Sequence, residues 1–310
     1  MRVTLVTEAE RTEAKQKAIR LKRSVLFDIL KWSTHPEVDQ AVDFFAEKIV
    51  EALGLKQVPR RKFKTHIKVV LLNLYAAYVT DSEMYVAYHH SARGYQVNHR
   101  YKYRGKTYTK KNRYNPLEIG WTNLQKVIDT LIRLNLVENH LGYADLDNFR
   151  YGKLSRMRAN PDLIAILEES YKIVPSMIER AEEEELVELR GKKKKGENKG
   201  RKIKYEDTKR TKQMRGDLRH LNEILDKHCI TLNVTDDEWY ELNRQLAAEP
   251  EERRAPVDYS SKVLKRIFND GSFTKGGRFY GGWWLQIPSD CRKHITFNTD
   301  FRGSHNRHSH

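Results

Sequence analysis

NPLEIGWTNLQKVIDTLIRLNLVENHLGYADLDNFRYGKLSRMRANPDLIAIL, residues 115–167, is the stretch on which the fold turns. Leu124, Val127, Ile128, Leu131 and Leu134 recur at helical spacing and predict one apolar helix face. The helix is expected to begin near Thr122, whose hydroxyl can cap the free amides of the first turn. Leu136 to Glu138 reads as a short strand, 145–152 as a polar loop and Lys153 to Ala159 as a second strand. Helix, strand, loop, strand is the order of a winged helix-turn-helix domain. Thr122, Asn123, Gln125, Lys126 and Arg133 lie off the apolar face. An exposed helix with such side chains can enter a major groove. Lys153, Arg156 and Arg158 would meet flanking phosphates from the wing.

Upstream, 65–79 is almost wholly apolar on one side and predicts a helix at a core centre, followed by a strand at Met84 to His89. These supply the first helix and strand of the same domain. Its second helix has only Asn115 to Gly120 to occupy. From Met84 to Leu117 there is no acidic residue. Arg93, Arg100, Lys102, Arg104, Lys106, Lys110, Lys111 and Arg113 alternate there with Tyr95, Tyr101, Tyr103, Tyr108 and Tyr114. A solvated loop would mix charges. Cations of one sign with flat rings between them suit phosphates and bases, so this stretch is expected to touch nucleic acid.

Before residue 60 two helices are expected. One runs through Ala18, Leu21, Val25, Leu26, Ile29 and Leu30. His35-Pro36 breaks it, and the other runs through Val38, Val42, Phe45, Ile49 and Leu53, closed by Gly54. After 167 an acidic helix is expected to reach Arg190, then a basic linker over 191–204, GKKKKGENKGRKIK. Further on, Met214, Leu218, Leu221, Leu225 and Cys229 mark another helix, and Thr235 with Glu238 forms a capping box. Residues 260–270 read as a helix. The organisation expected is therefore a helical region 1–59, a winged-helix DNA-binding domain 60–167, an acidic helix 168–190, the linker, and an α+β fragment 205–310. The fold class expected is mostly α with small β elements.

Composition agrees with a polyanion partner. The 310 residues carry a net charge of +16, and the pI is about 9.6. No apolar run approaches the ~20 residues that span a bilayer, so no membrane partner is expected. Two cysteines, Cys229 and Cys291, give no disulfide framework and fit a reducing cytoplasm. Cys291 and His294, with His305, His308 and His310, have ligand-like spacing. Structural zinc sites are richer in cysteine, and neither metal nor cofactor is expected. No nucleophile–base pair can be nominated from the order of residues alone.

KGGRFYGGWW, 275–284, sets four glycines beside a cluster of rings. One reading is a tight corner under Trp283 and Trp284; another is a strand against a ligand backbone, with Arg278 on a phosphate. The three-glycine dinucleotide fingerprint and the Gly-Lys-Ser/Thr ending of a phosphate loop are both missing.

YEDTKRTKQMRGDLRHLNEIL (205–225), RIFNDGSFTKGGRFYGGWW (266–284), IPSDCRKHITFN (287–298) and GYADLDNFRYGKLSRMRANPDLI (142–164) resemble a family of uncharacterised proteins from bacteria, phages and integrated elements. In that family an acidic–hydrophobic strand follows, loosely resembling the first metal-binding motif of single-subunit polymerases. The resemblance implies a replication- or regulation-associated role in a phage or mobile element. Here FNTDFRGSHNRHSH follows Thr296; Asp300 to His305 is similar to the motif but shortened. Two-metal phosphoryl transfer needs at least two carboxylates. Catalysis by this chain alone is therefore not expected, and a truncation or frameshift would explain the tail. The alternatives are a truncated or inactive nucleotidyltransferase lacking its catalytic half, and a winged-helix protein-interaction module.

Overall fold

The computed structural model describes residues 7–13, 24–57, 61–142, 154–248 and 261–298. The chain divides into two compact units, Met1–Glu184 and Glu185–His310.

Three helices build the core of the first unit. Helix α1 (Pro36–Leu53) starts on Pro36, whose fixed φ suits the first turn, and stops at Gly54 with φ 62°. It buries Val38, Ala41, Val42, Phe45, Ala46 and Ile49 on one face. Helix α2 (Arg61–Thr80) is buried on nearly all sides from His66 to Tyr75, as the centre of a core must be. Helix α3 (Trp121–Arg133) contributes Leu124, Val127, Ile128 and Leu131. Against them lie the short strands β1 (Ser24–Leu26), β3 (Tyr85–Tyr88), β6 (Val137–His140) and β7 (Ser155–Ala159), in the sheet order β1-β3-β7-β6. β1 runs parallel to β3, and the other pairings are antiparallel. β2 (Lys31–Trp32) pairs with β8 (Glu179–Arg180), and Arg180 clamps Asp28 and Glu184 at 2.8 and 2.6 Å.

In the second unit β9 (Val187–Leu189), β11 (Lys265–Phe268) and β12 (Gly276–Tyr280) form a sheet in the order β12-β11-β9. Its apolar side packs against helix α5 (Lys209–Asp226) through Val187, Leu189, Met214, Leu218 and Phe268. A second small core joins β10 (Cys229–Leu232), β13 (Ile295–Asn298) and helix α6 (Asp236–Ala248) to Trp283 and Ile287. Thr235 and Glu238 exchange the expected capping bonds at 2.8 and 3.3 Å.

The fold class departs from the expectation. With 43 % helix, 21 % strand and several small sheets the protein is mixed α/β, not mostly α. Several segments with helical spacing are strands. Val25 and Leu26 lie in β1, with a turn at Ile29 and Leu30, while Ala18 and Leu21 fall outside the described residues. In 260–270, the described part from Ser261 leads into β11. The acidic stretch is helical only through α4 (Pro161–Ala165) and a π-turn to Ser170. Beyond it Glu184, Glu185 and Glu188 pair with Arg180, Arg215 and Arg190. The basic tract is not a free connector either: Arg190 bridges Lys202, and the Ile203 amide donates to Leu189 at 2.9 Å. The second helix of a helix-turn-helix is missing. Residues 112–117 form turns, and between Tyr88 and Trp121 the one helical piece is the 3-10 turn Ala92–Gly94. A β-hairpin takes that place in the chain.

Candidate nucleic-acid interface

The hairpin consists of β4 (Asn98–Tyr103) and β5 (Lys106–Lys111), and every pair is antiparallel. Arg104 and Gly105 make the turn with φ 48° and 75°. Positive φ at both central residues is the turn geometry that matches strand twist. Because paired residues share a face, the register sorts the side chains. One face carries Arg100, Lys102, Thr107, Thr109 and Lys111; the other carries Tyr101, Tyr103, Lys106, Tyr108 and Lys110. Tyr101 and Tyr108 stack with centroids 5.5 Å apart and 21° between planes. Tyr103 is 57 % exposed, and the Arg104 guanidinium lies 5.4 Å from its ring centre. Apart from half-buried His99, both strands are solvent-exposed.

An isolated hairpin is at best marginally stable in water, so its base must be held. Asn112 donates to the Gln96 carbonyl at 2.7 Å, and its own amide donates to Val97 at 2.9 Å. Buried Asn115 both donates to the Ile119 carbonyl and accepts from the Ile119 amide, each at 2.9 Å. The Gly120 amide then donates to His66 Nε2 on α2 at 2.9 Å.

Between the hairpin and the start of α3 lies a groove of about 410 Å³. Asn98, Arg100 and Thr109 line it from the hairpin and Trp121, Thr122 and Asn123 from the helix, with Lys62 and Glu118 also in the lining. Helix α3 has Gly120 at its N-cap, no side-chain cap and no acid in its first turn. Its positive dipole end therefore adds to the charge of Arg100, while Glu118 in the lining offsets Lys62. Thr122 is not the cap, because the helix already starts at Trp121 and Thr122 is exposed. Glu118, the first acid after the acid-free stretch, stands 3.6 Å from both Lys62 and Lys111.

Of the expected contact residues, Arg100, Lys102, Arg104, Lys106, Lys110 and Lys111 come together on the hairpin, and Thr122 and Asn123 face Arg100 across the groove. Arg113 sits half-buried in the turns after β5; Gln125 and Lys126 lie within α3, Lys126 exposed. Arg133 is at the other end of α3 and reaches the Ala52 carbonyl at 3.3 Å. Lys153 lies outside the described residues. Arg156 donates to the Leu154 carbonyl. Arg158 pairs with Glu138 at 2.6 Å and covers the Tyr85 ring at 4.7 Å, so it is held within the sheet rather than presented outward. Arg278 is exposed on β12 in the second unit. The residues that seat the hairpin, His66, Asn112 and Asn115, carry no local sequence signal for that role. No protein-family model, curated protein or solved structure matches the chain.

Proposed function

We propose that the chain binds duplex DNA by laying the β4–β5 hairpin into the major groove. The observation that carries this reading is an exposed two-stranded ribbon with a cationic face, an aromatic face and no carboxylate. A ribbon of this kind fits a groove about 12 Å wide. Lys102, Lys106, Lys110 and Arg104 would displace counterions from the phosphates, and Arg100 with the first turn of α3 would hold a phosphate at the groove. No helix among the described residues is long and apolar enough to cross a membrane. A replication or regulatory setting in a phage or mobile element is part of the proposal, and it rests on the resemblance of the quoted stretches alone.

The Tyr101–Tyr108 pair favours a second reading, unpaired strands stacked on the aromatic face, where each base contributes about 1–3 kcal/mol. Fluorescence anisotropy of the full chain with a duplex and with one of its single strands tests both. Tighter duplex binding supports groove entry. Tighter single-strand binding that collapses in Tyr101→Ala supports stacking, and no binding of either at low salt overturns the proposal.

A further inference from the structure

The sheet of the second unit has one apolar face against α5, formed by Val187, Leu189 and Phe268. Strand alternation puts Glu188 and Arg190 on the opposite face. There the Glu188 carboxylate is 1 % exposed, and three cations converge on it. Arg190 Nη2 stands at 2.5 Å, Lys202 Nζ at 3.5 Å and Lys265 Nζ at 3.6 Å. Each comes from a different segment: the end of β9, the basic tract bridged to it, and β11. By register Tyr280 is the cross-strand neighbour of Lys265, and Arg278 that of Ile267, so exposed Arg278 continues the same face.

A buried carboxylate needs one well-placed cation for neutrality; further cations repel one another. Arg190 already holds Oε1 with a hydrogen bond of 2.6 Å. The two lysines share Oε2 at lengths beyond a tight hydrogen bond. Desolvation, with repulsion from Lys265 and Arg190, holds the Lys202 ammonium below the usual lysine range despite Glu188. A bound anion would relieve that repulsion. Glu188 then serves to hold the cations close while leaving the cluster with surplus positive charge.

We propose that Lys202, Lys265 and Arg190, assembled on Glu188 and extended by Arg278, form a phosphate-binding site in the second unit. The site is independent of the hairpin reading. Its ligand is a phosphate group, carried either by a polynucleotide backbone or by a small phosphate.

Lysine acylation of the full chain, mapped by mass spectrometry, reads the site locally. Inorganic phosphate, compared with chloride at equal ionic strength, is expected to slow modification of Lys202 and Lys265 about threefold once it exceeds its dissociation constant twofold. Exposed Lys227, at the end of α5, should not change. In Lys202→Gln, checked for folding by circular dichroism, the protection of Lys265 should be lost. Protection of both lysines no greater than that of Lys227 overturns the site, as does protection of Lys265 that survives unchanged in Lys202→Gln. A duplex oligonucleotide that protects at far lower phosphate concentration assigns the site to a polymer backbone; protection by inorganic phosphate alone assigns it to a small anion.

Discussion

The His66 ring accepts the Gly120 amide hydrogen at 2.9 Å and faces the Lys62 carbonyl at 2.7 Å through its other nitrogen. A carbonyl only accepts, so Nδ1 carries the proton and the buried ring is neutral. Helix α2 is thereby tied to the junction between hairpin and α3.

Burial, with the nearby Lys62 charge, holds the His66 pKa below its ordinary value although its backbone hydrogen bonds oppose this. The unfolded chain then binds the proton more readily. The contribution of His66 is complete above about pH 6.5 and is lost as pH falls from there toward the lowered folded value, by at most about 1.4 kcal/mol per pH unit. His66→Leu should cost about 1–3 kcal/mol at pH 8, since the Gly120 amide is left unpaired. In urea melts from pH 8 to 5 the variant should lose less stability than the wild type. Parallel curves would contradict this role.

Arg158 should matter for stability rather than for DNA. Burial raises the Glu138 pKa, but hydrogen bonds from His140, Tyr85 and Arg158 outweigh it and bring it to about 2. Arg158→Ala should cost about 1.5–3 kcal/mol at pH 7 and change DNA affinity by less than about twofold. The stability gap should close as pH drops from about 4.3, the unfolded value, toward 2. A large loss of DNA affinity with unchanged melting would reverse the assignment.

Asn115→Ala should loosen the hairpin without unfolding the unit. It removes both bonds to Ile119 and leaves buried backbone groups unpaired, at about 1–3 kcal/mol. Hydrogen exchange of the β4 and β5 amides should accelerate more than that of α2. Equal acceleration throughout would mean that Asn115 serves the whole core.

At the glycine-rich corner, Gly281 has φ 104°, and a side chain there would meet the Val263 carbonyl oxygen at 2.2 Å. Gly281 therefore admits neighbouring backbone, Gly282 lies against the Trp284 ring, and Trp283 closes the adjoining core. Gly281→Val should destabilise by about 1–3 kcal/mol or more. Arg278→Ala, on the exposed face, should leave the melting temperature nearly unchanged. The opposite ranking in thermal melts would refute this account of the corner.

Local patterning carries much of the first unit. The periodicity of Val38 to Ile49 and of Leu124 to Leu131, with Pro36 and Gly54 as boundaries, needs no distant partner to be read. Val25, Leu26, Ile29 and Leu30 mimic helical spacing across a strand and a turn, and β1 exists because Tyr85 to Ala87 pairs with it. Val263, Leu264, Ile267 and Phe268 mislead in the same way, since β9 lies far away in the chain. Glu184, Glu185 and Glu188 read as part of an acidic helix, but they are held in ion pairs with their arginine partners. The hairpin carries a local signal, Arg104-Gly105 between two runs of alternating Lys, Thr and Tyr, which the charge of the stretch overshadows. Its seat on Asn115 and His66 has none, because those bonds join distant segments.

The most direct test of hairpin binding is a salt titration of the full chain on a duplex oligonucleotide, beside a variant carrying Lys102→Ala, Lys106→Ala and Lys110→Ala. Each lysine–phosphate pairing that the substitutions abolish should reduce the slope of log affinity against log salt by about 0.9. We expect the variant to bind more weakly at low salt, with a slope shallower by about 2–3, and to melt at the wild-type temperature. An unchanged affinity and slope in a folded variant would contradict the hairpin as the DNA-binding element.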